Sequence, residues 1–194
     1  AKNSVAIFNA NDILPTNADG TMKFRQNNDL FYLCGIDQEE TILLLAPDCP
    51  NPAWREVLFL RETNAHIAVW EGHKYTKEEA SAISGIKKIY WLEDMDTVLN
   101  ELILLAIRIY VNSNENDRYV SEVMNRDLRH THELMKKYPT HKYHRSQPIM
   151  KKLAMIKSEE EVLLIQKACQ ITNRAFHRVL EFTKPGVMEY EVEA

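Results

Sequence analysis

Short apolar runs recur along the first 111 residues and then stop, and this change of texture constrains the fold more than any other feature. Ser4–Phe8, Leu30–Leu33, Thr41–Leu45, Val57–Leu60, Ile67–Trp70, Lys87–Trp91 and Arg108–Val111 each have the length and composition of a β-strand. The run Thr41–Leu45 (TILLL) is apolar enough to lie inside a sheet. Helical patterns interrupt them. Thr76-x-x-Glu79 is a capping box that opens a helix ending near Gly85, and Thr97–Ala106 reads as a second helix. Pro47-Asp48-Cys49-Pro50-Asn51-Pro52 is a turn. Strands alternating with helices predict an α/β layer with some parallel pairing. Ser121–Tyr138 is an amphipathic, highly charged helix closed by Pro139.

The last third has a different grammar. His141–Pro148 is polar and aromatic without periodicity, and reads as a linker. Ser158-x-x-Glu161 is a second capping box. The helix it opens carries Val162, Ile165, Cys169, Thr172, Phe176 and Val179 at alternating spacings of three and four, a single apolar stripe. That stripe places Cys169 in a core. Lys184-Pro185-Gly186 ends the helix, and a further helical stretch begins at Glu189. Helices with nothing to cover their apolar faces amount to part of a domain. The expected organisation is therefore a complete α/β domain over 1–145, then a linker and the first helices of a truncated second domain over 146–194. The first residue is Ala1 rather than Met, which fits a trimmed chain.

Composition narrows the chemistry. The chain has five glycines in 194 residues, well apart from one another. Phosphate-cradling loops need clustered glycines so that backbone N–H groups can approach an anion, so P-loop and dinucleotide chemistry is disfavoured. A net charge of −4 without a basic stripe argues against nucleic acid as a partner. Cys34, Cys49 and Cys169 are odd in number and far apart, which fits reduced thiols in the cytoplasm. The longest apolar run, Leu102–Ile107, falls far short of a membrane span, and no signal-peptide pattern opens the chain.

Candidate reactive groups are few. In His130-Thr131-His132-Glu133, residues two apart on a helix point to nearly opposite sides, so the two imidazoles do not share an ion. His141 and His144 would need a particular loop fold to do so. Cys34, just after a predicted strand, is either a reactive thiol or a small buried one, and no base is marked beside it. Phe24–Asp29 concentrates Arg25 and amides ahead of a strand, where they orient a substrate or organise a loop. Trp70, at a predicted strand end beside Gly72, either stacks on an apolar ring or plugs the core. Arg145 lies in the linker.

The motifs themselves resemble a known family. Phe24-Arg25-Gln26-Asn27-Asn28-Asp29-Leu30-Phe31-Tyr32-Leu33-Cys34-Gly35 is similar to the "Y-R-Q-x-S-D-F-x-Y-L-T-G-F" signature of the aminopeptidase P N-terminal domain. Asp37–Leu45 resembles the acidic or amide stretch and apolar strand that follow it, and Trp70-Glu71-Gly72 resembles "W-x-G". Ile156–Val162 matches "K-S-x-x-E-I", where the family's catalytic domain starts. Ile171–Ala175 and Lys184–Ala194 match "I-T-x-x-A" and "R-P-G-x-x-E-Y-E-x-E-A".

The resemblance implies an α/β fold, a mixed, roughly six-stranded β-sheet flanked by helices of the creatinase/aminopeptidase P N-terminal type, followed by a helical stub of a pita-bread α+β domain. It implies a Xaa-Pro aminopeptidase, which removes the N-terminal residue preceding a proline. Its two divalent metal ions, manganese as a rule, are held by two Asp, one His and two Glu. Asp127 is the last aspartate of this sequence, so no metal ligand or catalytic residue is expected in this chain, which is expected to be inactive alone. The N-terminal domain would contribute to homo-oligomer assembly and wall off the active site. Trp70 would contact substrate, reaching into a neighbouring subunit's site. Arg25 would be architectural. The chain departs from "L-R-x-I-K-S" at Ala154 and from the "A-H" pair at Phe176, which leaves room for a prolidase-like dipeptidase. A catalytically inactive pita-bread homologue, binding protein or peptide, is the alternative of a different class.

Overall fold

The computed structural model describes residues 2–116, 118 and 122–194. The chain divides into two compact units, Ala1–Met150 and Lys151–Ala194. The first is built on a six-stranded mixed sheet with strands β1 (Ser4–Asn9), β2 (Ile42–Leu45), β3 (Glu56–Leu60), β4 (Lys88–Trp91), β5 (Arg108–Val111) and β6 (Lys142–Arg145). Their spatial order is β4-β3-β2-β1-β5-β6. The β1–β2 and β2–β3 pairs are antiparallel, whereas β1–β5, β3–β4 and β5–β6 are parallel. Ile7 faces Leu44 across one ladder and Val111 across the other.

Side-chain alternation divides the core between the two faces of the sheet. Val5, Ile7, Ile42, Leu44, Val57, Phe59 and Ile109 pack against α4 (Met95–Leu105) and α5 (Arg126–Lys137). Phe8, Leu43, Leu58 and Leu60 pack against α1 (Asn28–Cys34), α3 (Lys77–Ser84) and Met150. The central strands are buried on both faces, which is why TILLL lacks polar alternation. Each fully buried Leu or Ile here contributes about 1.5–3 kcal/mol.

Two segments with strand-like composition are helices. Leu30–Leu33 lies in α1, and Ile67–Trp70 lies in α2 (Ala65–Glu71). In each, an asparagine caps the amino end and a glycine at positive φ ends the helix, Gly35 at 70° and Gly72 at 79°. Leu30 and Cys34, four apart, both face the core, so helical spacing outweighed local apolarity. Conversely, the stretch read as a linker contains β6, one of the sheet's two outer strands, and opens α6 (Gln147–Met155). An edge strand half in solvent can be Lys-Tyr-His-Arg, so hydrophobicity does not reveal it. The charged helix begins at Arg126 rather than near Ser121, which lies outside the described residues.

In the second unit, α7 (Glu159–Phe182) is opened by the reciprocal Ser158/Glu161 capping box and is followed by α8 (Glu189–Glu193). No residue of α7 is buried, and Cys169 is exposed rather than in a core. A unit of so few elements cannot cover the stripe of a 24-residue helix by itself.

Candidate functional site

The carboxyl ends of β1 and β5 lie side by side, and their connections leave for opposite faces of the sheet, β1 to α1 and β5 to α5. Adjacent parallel strands that diverge in this way leave a crevice between them. A polar cleft of about 540 Å³ occupies it, lined by Arg25, Asn28, Asp29, Asn112, Asp127 and Gln147 among others.

Asn9 ends the inward row begun by Val5 and Ile7. Its Nδ2 donates to Asp127 Oδ1 at 2.8 Å, and its Oδ1 lies 2.8 Å from His130 Nδ1, which fits a ring protonated at Nδ1. Asn27 Nδ2 approaches the other Asp127 oxygen at 3.4 Å, while its Oδ1 caps α1 by accepting from the N–H groups of Asp29 and Leu30. Burial pushes the Asp127 carboxyl up to about 6 against the bonds from Asn9, and nearby Asp29 adds to the rise. Burial likewise pushes His130 down, with Arg126 adding to the effect. On the other wall, Gln147 Nε2 donates to Asp29 Oδ2 at 2.7 Å, and Ser146 Oγ donates to Asn112 Oδ1 at 2.8 Å.

The Phe24–Asp29 motif thus separates into parts. Gln26 Nε2 donates to the carbonyls of Ile36 and Gln38 and so organises the loop. Arg25 is exposed, and it is its backbone carbonyl that accepts from Asn11 Nδ2. The loop is thus organised by the Gln26 side chain and by the Arg25 carbonyl rather than by the Arg25 guanidinium.

Trp70 stands elsewhere, at the carboxyl end of α2 rather than at a strand end, and is 79% exposed with Val69 exposed beside it. It does not plug the core. Asn64 Oδ1 caps α2 by accepting from Ile67 N at 3.0 Å. Arg61 Nη1 and Nη2 donate to Glu71 Oε2 and Oε1 at 2.6 and 2.8 Å, a two-pronged bond at the residue after Trp70.

The remaining candidates are structural. Cys34 is the last residue of α1, its Sγ donates to the Leu30 carbonyl, and burial pushes its thiol up, away from the thiolate a nucleophile needs. His130 is bound to Asn9 whereas His132 is exposed, so the pair diverges. His141 Nε2 meets the Ile103 carbonyl, and His144 stacks on Tyr110. Arg145 is in β6 and binds Glu115. No group of three or more His, Cys, Asp or Glu side chains among the described residues could hold a metal ion.

Sequence reasoning missed Asp127 and Asn9. A signal for Asn9 existed, because a polar residue continuing the inward parity of Val5 and Ile7 needs a buried partner.

These features define an open α/β domain with a mixed sheet, helices on both faces and an exposed aromatic on a polar-tethered helix. Residues 1–110 match the family model for the aminopeptidase P N-terminal domain, and the chain belongs to that family. A Xaa-Pro aminopeptidase of Haemophilus influenzae is 25% identical over 178 residues, 92% of this chain and 39% of that protein. The Xaa-Pro aminopeptidase of Escherichia coli is 24% identical over 194 residues, 98% of this chain and 43% of that protein. The structure of Pseudomonas aeruginosa aminopeptidase PepP superposes with a TM-score of 0.78 at 25% identity, covering 98% of this chain and 43% of that one. The chain thus spans about two fifths of the length of these relatives.

Proposed function

We propose that this chain is the N-terminal part of a metal-dependent Xaa-Pro aminopeptidase that removes the residue preceding proline. In this reading the domain assembles subunits into a homo-oligomer and walls the active site, and bond cleavage takes place elsewhere in the whole protein. Membership of the family and the names of the relatives support the peptide substrate class. The observation that carries the reading at residue level is Trp70, a large ring 79% exposed at the end of a short helix. An indole face suits a proline ring, which is apolar and brings no N–H to satisfy. The free Cys34, Cys49 and Cys169 support residence in the cytoplasm.

The two divalent ions of our reading, manganese by resemblance, find no fit in the residues present. No suitable ligand group occurs among the described residues, and no aspartate follows Asp127. The chain's own contribution is therefore shape and substrate contact.

Steady-state kinetics of the full-length protein on peptides with proline second test this. Trp70→Ala is expected to lower kcat/KM about three- to tenfold, the scale of one lost aromatic contact, with an unchanged melting temperature. Unchanged kinetics would return Trp70 to an incidental surface residue. Stoichiometric manganese and turnover in residues 1–194 alone would overturn the division of labour.

A further inference from the structure

Three consecutive residues of the turn before β2 each hold a different point of the segment that carries Trp70. Gln38 Oε1 accepts from Tyr75 N at 2.7 Å. Glu39 pairs with Lys74 Nζ, both side chains largely buried. Glu40 Oε2 lies 3.6 Å from Arg61 Nε. Arg61 then reaches along its own segment to grip Glu71 with both Nη atoms. The segment is therefore pinned where it leaves β3, where α2 ends, and just beyond Gly72.

Two further observations give these contacts weight. None of the described side chains of α2 is buried, and a seven-residue helix does not sustain itself in water. Gln38 and Glu39, by contrast, are only 3% and 6% exposed, an unusual place for an amide and a carboxylate. Glu40 holds a φ of 56°, a region that side chains other than Gly, Asn and Asp seldom adopt. Strain and buried polarity are thus concentrated in a turn whose side chains all serve the Trp70 segment. Hydrogen bonding to Glu71 also holds the Arg61 guanidinium above its usual range.

We propose that Arg61, braced by Glu40, is the positioning residue that fixes the presentation of Trp70, making affinity for proline-second peptides depend on an electrostatic tether. The proposal rests on the reading of Trp70 as a substrate contact. The tether's charges are about one-third exposed, so salt reaches them: the Debye length falls from about 10 Å at 0.1 M to about 3 Å at 1 M. Presentation of Trp70 therefore weakens as salt rises, while the buried sheet does not respond.

The test uses the full-length protein with Arg61→Ala, the conservative Arg61→Lys, and Trp70→Ala. Amide hydrogen exchange over residues 64–72 is read beside kcat and KM for a proline-second peptide. Arg61→Ala is expected to speed exchange in that segment and to raise KM about two- to fivefold at constant kcat, with Arg61→Lys, which keeps the charge facing Glu40 and Glu71, recovering part of both. A merely structural pair would leave KM alone. Unchanged exchange in Arg61→Ala overturns the tether. Faster exchange with unchanged KM overturns the positioning role, and an unchanged KM in Trp70→Ala as well places the failure in the reading of Trp70 itself.

Discussion

Helices α1 and α2 are near twins in sequence grammar and opposites in how they are held. Each has seven residues, an asparagine cap and a terminating glycine at positive φ. In α1, Leu30 and Cys34 are buried against the sheet. In α2, none of the described side chains is buried, and its far end is held by Arg61 and Glu71. Caps decide that a helix forms, whereas its anchoring decides whether it behaves as scaffold or as a presented element. Core burial holds α1, whereas α2 depends in part on partly exposed ion pairs that salt weakens.

The sharpest way to break this comparison is to truncate one side chain on each helix. Leu30→Ala removes a side chain with no exposed surface and is expected to cost about 2–5 kcal/mol, read as a lower urea midpoint. Val69→Ala, on the exposed face of α2, is expected to stay within about 0.5 kcal/mol. Similar losses at both sites would show that α2 is packed as α1 is.

The same contrast explains what could be read from the sequence. The central strands were legible because burial on both faces demands unbroken apolar runs, as in Thr41–Leu45. Capping boxes at Thr76 and Ser158 were legible because their partners lie three residues away. Strand β6 was not, because its evidence is a ladder to β5 more than thirty residues earlier. Asp127 was not either: its partner Asn9 lies 118 residues away, and nothing local to the charged helix marks one carboxylate as buried. Trp70 stood out by residue type and by the family motif around it. The turn that braces its segment appears in sequence only as Gln-Glu-Glu, with no hint of what it grips.

Asp127 also ties the α1 cap to α5, and its protonation sets a pH dependence. The carboxyl has a folded-state pKa of about 6, above its ordinary 3.8, so the folded state binds the proton more tightly than the unfolded chain. This contribution to stability is fully present below 3.8 and is lost as pH rises through about 6. Asp127→Asn retains an acceptor for Asn9 without the buried charge. It is expected to be more stable than the parent by about 1–3 kcal/mol at pH 7.5, with the difference vanishing towards pH 4. His130, pushed down by burial, acts in the opposite sense, its contribution present above 6.5 and lost as pH falls. Only the difference between variant and parent isolates the aspartate. Urea unfolding across pH 4–8 measures it, and a constant difference would show that Asp127 stays ionised throughout.

The smallest and most discriminating effect is a substitution that caps tolerate in general. Asn and Asp are near equals at a helix amino end, and the helix dipole favours the charge. Asn64→Asp on α2 should therefore leave the urea midpoint unchanged, since the role of its side chain among the described residues is to accept from Ile67 N, which a carboxylate also does. Asn27→Asp keeps the acceptor for the Asp29 and Leu30 amides but replaces the Nδ2 donor that approaches Asp127 at 3.4 Å. Two carboxylates then meet in a half-buried site. The variant is expected to lose about 1 kcal/mol at pH 7.5 and to recover at pH 5, where a protonated Asp127 donates to its new neighbour. The pH dependence separates this from simple loss of a cap, which would be equal at both pH values. Because no such link to the core is found at the α2 cap among the described residues, the same chemical change should be felt at one cap and be silent at the other.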